Sequence, residues 1–485
     1  MRARSLRARR CRRLRWIGPT DELSLERVRF RASTDGVPVS VQGVRESGSA
    51  KITVHRLPLA ERRAVGGPVS RSLLGAYFAV ALAGWLAATA AAVVAADDLA
   101  AGQPLASAPV LAVHLLALGV LPFAVSGASF HLLPVMLRNE LPSQRALWVA
   151  LPLLAGGLLI AAGLGREAEP VVWVGAAMVA CGLAIVLFEV LTLVVRAPRG
   201  RMLVASRLGV SLSCAHVIAA LCLGALIFAH DTPFGGLSHG RWLLIHLHVA
   251  LIGWIALLIL TVGRNLVPML AMAPAAPQRA WPLEELALVA GLWVLLIGIG
   301  TRERALTVAG AIAVAAAIGR FGALMLRVAR ARRGPLEAPL VHLLVSGFFL
   351  AQAAGFGIAV AAGADGTRLV SGYVVLLLAG WAGGVVVGHI GKLLSLSLWV
   401  WWPPGPRPKQ AQLYARRLGL AEAGAFAVGV ETLAVGVFVG SASAAQTGAV
   451  VLCASAVLTT LGAASTWRRR SLAPTDELSR QAGVG

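Results

Sequence analysis

Long apolar runs alternate along this chain with short breaks of charge, proline or glycine. A helix that crosses the hydrocarbon core of a bilayer needs about 20 mostly apolar residues. Twelve stretches meet that need, near 72–96, 109–136, 146–164, 171–195, 203–229, 242–270, 282–300, 305–326, 339–362, 369–402, 412–439 and 445–465. The breaks include Asp97-Asp98, Arg199-Gly200 and Arg332-Arg333-Gly334. The pattern therefore predicts an all-α integral membrane protein, with a twelve-helix domain over 72–465 and tails at 1–71 and 466–485. Composition agrees: 58% of residues are hydrophobic and 14% charged, whereas soluble domains carry about 25% charged residues.

The net charge of +22 points first to nucleic acid, but its distribution points elsewhere. Lys and Arg concentrate in 1–71 and at Arg196/Arg199/Arg201/Arg207, Arg327/Arg330/Arg332/Arg333, Arg407/Lys409/Arg416/Arg417 and Arg468–Arg470. With both termini cytoplasmic, all of these lie inside, as the positive-inside rule requires. The basic tail is then expected to be a largely flexible cytoplasmic segment that touches anionic membrane lipid, with no nucleic-acid partner. It lacks the apolar stretch of a signal peptide, so the first span is expected to direct insertion. Pro19-Thr20-Asp21-Glu22-Leu23-Ser24 recurs as Pro474-Thr475-Asp476-Glu477-Leu478-Ser479, with no mechanism attached. The five cysteines are scattered and form no CxxC or CxxCH, which disfavours a c-type haem, a zinc ribbon or a disulfide framework.

An internal repeat organises the spans. His114-Leu-Leu-Ala-Leu-Gly119, running on to His131-Leu-Leu-Pro134, overlays His248-Val-Ala-Leu-Ile-Gly253, running on to Asn265-Leu-Val-Pro268, at an offset of 134. A weaker third copy places Gly380-Trp381 on Gly253-Trp254 and Lys392 on Asn265. The period is four helices, giving three pseudo-threefold blocks near 72–200, 203–334 and 339–465. Such a repeat is informative about fold before any single residue is.

The repeat sets His114 and His248 at one depth on equivalent helices, an arrangement suited to bis-axial ligation of a haem iron. His246 and His248 are two residues apart and so about 200° apart around their helix, which lets them serve two sites on opposite faces. A lone membrane histidine is more often a hydrogen-bonded packing residue. That reading is expected for His216 and His342, with His55 in the tail and His230 and His239 in an outer loop.

His246-Leu-His248-Val-Ala-Leu-Ile-Gly253-Trp254, with Gly263 and Leu266-Val-Pro268, resembles a ligand helix of the haem–copper oxidase superfamily. The likeness is greatest to the cbb-type oxidase and nitric oxide reductase branches, where one histidine of the H-x-H pair serves a high-spin haem and the other a low-spin haem. His114, with Gly127 and Leu133-Pro134, resembles the helix giving the other low-spin ligand. The resemblance implies haem b held by His114 and His248, with His246 a candidate proximal ligand to a second haem. It also implies a bacterial plasma membrane. Two departures weigh against full oxidase chemistry. The H-x-H helix is the sixth span here rather than the tenth. The seventh span has no histidine for copper, and the tenth has Tyr373 and Val375 where the repeat predicts histidines. Copper therefore lacks a full ligand set. Gly388-His389-Ile-Gly-Lys392 resembles a nitric-oxide-responsive haem- and copper-containing membrane family, making His389 and His131 weaker candidates for a second haem or copper. Lys392 alternatively snorkels inward.

Arg241 and Arg368, at the outer starts of spans six and ten, are candidate partners of haem propionates, although interfacial anchoring serves as well. Glu189, Arg320, Lys392, Glu422 and Glu431 are intramembrane charges, costly to keep and therefore functional candidates. The leading expectation is a haem-b protein of redox or nitric oxide response, or of electron transfer, with a quinol or an external donor supplying electrons. One rival is a divergent oxidoreductase, a reductase of nitric oxide or oxygen with a non-standard metal centre. The other is a secondary transporter coupled through Glu431, Lys392 and Arg320, with purely structural histidines.

Overall fold

The computed structural model describes residues 29–34, 37–46, 49–56, 69–198, 201–229, 236–274, 281–402 and 408–469. The two Pro-Thr-Asp-Glu-Leu-Ser segments and His230 lie outside the described residues. The chain divides into two units, Met1–Ala64 and Val65–Gly485. In the first, β1 (Arg29–Thr34), β2 (Val37–Glu46) and β3 (Ser49–Arg56) form an antiparallel sheet in the order β1-β2-β3. Thr34 pairs with Val37 and Glu46 with Ser49. This replaces the expectation of a largely flexible segment over those residues. Its cause is visible in the sequence: strands of alternating polarity separated by Asp35-Gly36 and Ser47-Gly48, two-residue spacers that favour tight hairpins.

Among the described residues, the second unit contains twelve helices long and apolar enough to cross a membrane. They are α1 (Arg71–Ala100), α2 (Ser107–Leu137), α3 (Gln144–Leu164), α4 (Glu169–Arg196), α5 (Ser206–Ala229) and α6 (His239–Leu270). The remainder are α7 (Pro282–Thr301), α8 (Arg304–Arg330), α9 (Ala338–Ala361), α10 (Thr367–Val400), α11 (Arg416–Val439) and α12 (Ala442–Arg468). All twelve coincide with the apolar runs. Helices dominate because a bilayer offers the backbone no other hydrogen-bond partner.

Local chemistry sets the ends. Ser143 caps α3 by accepting from the Ala146 N–H at 3.2 Å, and Ser441 caps α12 by accepting from Ala444 at 3.3 Å. Proline begins α4 and α9, and α11 stops at Gly440, whose φ of 73° suits glycine. Neighbouring helices touch through glycine: Gly84 of α1 lies on the Gly119 backbone, and Gly436 and Gly448 of α11 and α12 seat the opposing backbones. Small residues provide this close approach where apolar burial cannot drive association.

The most enclosed helix is α10, which packs against both α2 and α6. Each of these three central helices contains a π-helical segment: Leu115–Val120, Val249–Ala256 and Val375–Gly383. The hydrogen bonds there reach five residues back, as in Leu121 to Leu116, Leu257 to Ile252 and Gly384 to Ala379. The segments recur every fourth helix, the same interval as the sequence repeat. The first two begin immediately after His114 and His248.

Candidate functional site

The N-terminal half of α6 separates two cavities. Cavity 1, of about 1030 Å³, lies among α2, α4, α5 and α6 and is lined by His114 and His246. Cavity 2, of about 1180 Å³, lies among α6, α8, α9 and α10 and is lined by His248 and Tyr373. An α-helix turns about 100° per residue, so side chains two apart face opposite ways. That geometry is why one H-x-H serves two compartments.

The histidine pairing differs from the sequence expectation. His114 was expected opposite His248; the structure instead brings it to the same cavity as His246. The repeat paired His114 with His248 on equivalent helices, but equivalence in the repeat did not fix which flank of α6 faces α2.

The His114 Nδ1 lies 2.8 Å from the Val110 carbonyl, one turn earlier. A carbonyl only accepts, so Nδ1 carries the hydrogen and Nε2 keeps its lone pair. This is the form of imidazole that ligates metal, with the outer hydrogen bond orienting the ring. His246 contributes a buried Nδ1 without a hydrogen-bond partner. Most of the remaining wall is apolar, with Thr89, Ser126, Ser129 and Ser213 among the polar exceptions. An orphaned ring nitrogen, a second imidazole with a fixed tautomer and an apolar space of this volume together fit a haem.

In cavity 2 the His248 Nδ1 similarly meets the Leu244 carbonyl at 2.7 Å. Its Nε2 is not free: the Tyr373 hydroxyl donates to it at 3.0 Å. Tyr373 occupies the position that the repeat assigns to a histidine.

The weaker candidates separate. His389 is held by the Val385 carbonyl at 2.6 Å. His131 is buried, with Nδ1 unpartnered. Arg241 borders both cavities but donates to the Ile299 carbonyl at 3.1 Å, and Arg368 packs over Gly102 and Gly440. These contacts make each arginine a latch between helix ends. Lys392 pairs with Glu337 at 2.7 Å instead of only snorkelling. Glu431 accepts from Gln352 at 2.9 Å, and Glu189 accepts from the Ser143 N–H at 2.7 Å. Among the described residues, no three His, Cys, Asp or Glu side chains group closely enough to hold a metal ion.

No protein-family model matches the sequence, and neither does any curated protein. Among solved structures, a haem–copper terminal oxidase dimer studied by cryo-electron microscopy is similar, with a TM-score of 0.53 at 12% identity. The match covers 83% of this chain and 84% of that chain. The fold is that of a haem–copper oxidase. At this identity the likeness extends to the path of the chain and not to its chemistry.

Two buried clusters in this oxidase-like fold were missed by the sequence reading as clusters. Glu422 binds His342 at 2.6 Å and accepts from the Ser455 hydroxyl at 3.0 Å. Arg264, wholly buried in α6, lies 2.5 Å from Glu284 and 3.6 Å from Glu285, while Arg320 meets Glu284 from outside at 2.8 Å. His342 and Glu422 were noticed singly, but nothing in their spacing joins α9 to α11. Arg264 carried a signal, an arginine within an apolar run, that was passed over.

Proposed function

We propose that this protein binds haem b in cavity 1 through His114 and His246, and serves redox or nitric oxide response or electron transfer. On this reading it lacks a complete oxygen-reducing haem–copper centre. The observation that carries the proposal is the convergence of two imidazoles, one tautomer-fixed and one with an orphaned nitrogen, on one apolar cavity. When bound, haem would supply one-electron redox chemistry or a site for a diatomic gas. The chain's own part is to bring the two rings to one cavity, orient His114 through Val110, and exclude water with the α4 and α5 walls. The proposed setting is a bacterial plasma membrane with both termini cytoplasmic, supported by the inward bias of Lys and Arg.

The test is an absorption spectrum with haem and copper analysis of protein purified after expression with adequate haem. Wild type is expected to show a Soret band. His114→Ala and His246→Ala should each lose or shift it, whereas His248→Ala should retain it. A colourless wild type would overturn the reading. Loss of the band on His248→Ala, with His246→Ala unaffected, would restore the sequence-based pairing.

A further inference from the structure

Cavity 2 has one basic end and a long apolar body. Its lining follows α8 from Arg304 to Leu326, about 33 Å at 1.5 Å per residue, close to the thickness of a hydrocarbon core. Arg241 near the start of α6, Arg302 in the α7–α8 turn and Arg304 at the start of α8 line the basic end. Lys and Arg are scarce at the odd-to-even turns of the bundle, where Arg166, Arg241, Arg302, Arg304 and Arg368 stand in or beside them. Three of these five meet at this one cavity.

Their charges are not neutralised. Arg241 donates to the Ile299 carbonyl and Arg302 to the Gly236 carbonyl, each at 3.1 Å, which fixes both heads without cancelling either charge. Arg304 lies over Gly363. Among the described residues, none of the three pairs with a carboxylate. Asp365 lines the same end, and against three arginines it leaves that end positive. A guanidinium offers five N–H donors in a planar fork, so one carbonyl contact leaves donors for a carboxylate, which the fork fits.

Beyond the arginines the wall between α8 and α9 thins to Gly319, Gly322, Gly347 and Gly355. A Cβ added at any of these four would meet nothing within 4 Å, and Gly319, Gly347 and Gly355 are exposed on the outside of the bundle. The slot is therefore open to the bilayer side, and only an apolar chain is suited to that depth. The His248–Tyr373 pair asks for no ligand there. His248 gives its Nδ1 hydrogen to Leu244 and receives the Tyr373 hydroxyl at Nε2, which also leaves that imidazole no free nitrogen for iron. The α9–α10 turn brings Gly363 and Asp365 to the basic end, which favours a compact carboxylate over the glycerol headgroup of a diacyl lipid.

We propose that cavity 2 binds a long-chain fatty acid. The carboxylate meets Arg304 and the heads of Arg241 and Arg302, and the chain lies along α8, entering from the bilayer between α8 and α9. The proposal is independent of what His114 and His246 hold, because neither lines this cavity.

Photolabelling of the full-length protein in phosphatidylcholine nanodiscs tests it, with palmitate carrying a diazirine near its tail. At about pH 9 the carboxylate is ionised even at a bilayer surface. Label should saturate and concentrate on peptides of α8 and α9. Unlabelled palmitate should displace it, whereas methyl palmitate, with the same chain and no charge, should not. Arg304→Gln should weaken binding about tenfold, the effect of one hydrogen bond to a charged group. Gly347→Trp should fill the slot and abolish the labelling of α8, with unchanged helical circular dichroism. Label spread evenly over the lipid-facing helices, equal displacement by methyl palmitate, or wild-type affinity in Arg304→Gln would each overturn the proposal. So would two haems per chain with one lost in His248→Ala, since the second would then occupy this cavity.

Discussion

Replacing Arg264 by methionine removes the one wholly buried guanidinium of α6 while keeping most of its apolar volume. In the wild type, Arg264 and Arg320 balance Glu284 and Glu285. After Arg264→Met, Glu284 keeps Arg320, but Glu285, 1% exposed, keeps only the Thr261 hydroxyl at 3.1 Å. Removing one partner of a buried pair costs about 3–5 kcal/mol, because the other charge remains without compensation. Adding Glu285→Gln removes that stranded charge, so the double variant should recover about 2 kcal/mol of the loss, within the range for residues in contact. Reversible unfolding in mixed micelles, followed by helical circular dichroism, measures both quantities. The reasoning fails if the single substitution costs less than about 1 kcal/mol, or if the two losses simply add. The same cluster ties the C-terminal half of α6 to α7 and α8, so Arg264→Met should also broaden the Soret band if α6 positions the haem.

Other expectations follow from the same contacts. Glu422→Gln keeps hydrogen-bonding atoms for His342 and Ser455, whereas Glu422→Leu strands both; only the latter should lower the thermal midpoint strongly, by about 2–4 kcal/mol of stability. Gly384→Leu would drive a side chain into Ser346 and Phe426, and should sharply reduce the yield of folded protein while an exposed site such as Gly355→Leu leaves it intact. For the Glu431–Gln352 hydrogen bond, the double replacement Glu431→Leu/Gln352→Leu should be less destabilising than Glu431→Leu alone, since apolar replacement of both partners leaves nothing unpaired; equal or greater loss in the double variant would contradict this.

The twelve helices were legible because each carries its own signal, an apolar run of bilayer length that needs no knowledge of its neighbours. The sheet in β1–β3 was legible too, in alternation and Asp35-Gly36, but the charge of the tail drew attention away from it. The site was half legible. The histidine helices came through, since His114 and His248 sit in matching words of one repeat. Their pairing did not, because which flank of α6 faces α2 depends on how helices lean together, and no local pattern encodes that. Tyr373 was seen as a histidine missing from the repeat; only packing showed its hydroxyl on His248. The buried pairs of Glu422 and Arg264 join residues on different helices, which the order of residues alone does not reveal.

The π-helical segments at the middle of α2, α6 and α10 have a mechanical consequence. A segment bonded five residues back accommodates more residues per turn than its α-helical flanks, so the angular phase above it is uncoupled from the phase below. Each central helix is a shaft with a joint halfway along. The N-terminal lengths of α2 and α6 can aim imidazoles into their compartment while the C-terminal lengths keep the seam that holds the bundle closed. Removing one residue within Val249–Ala256 would rotate everything beyond it by about 100°, turning Arg264 away from its glutamates while His246 and His248 stayed in place. Chemistry at one end of these shafts is therefore free to change without rebuilding the other.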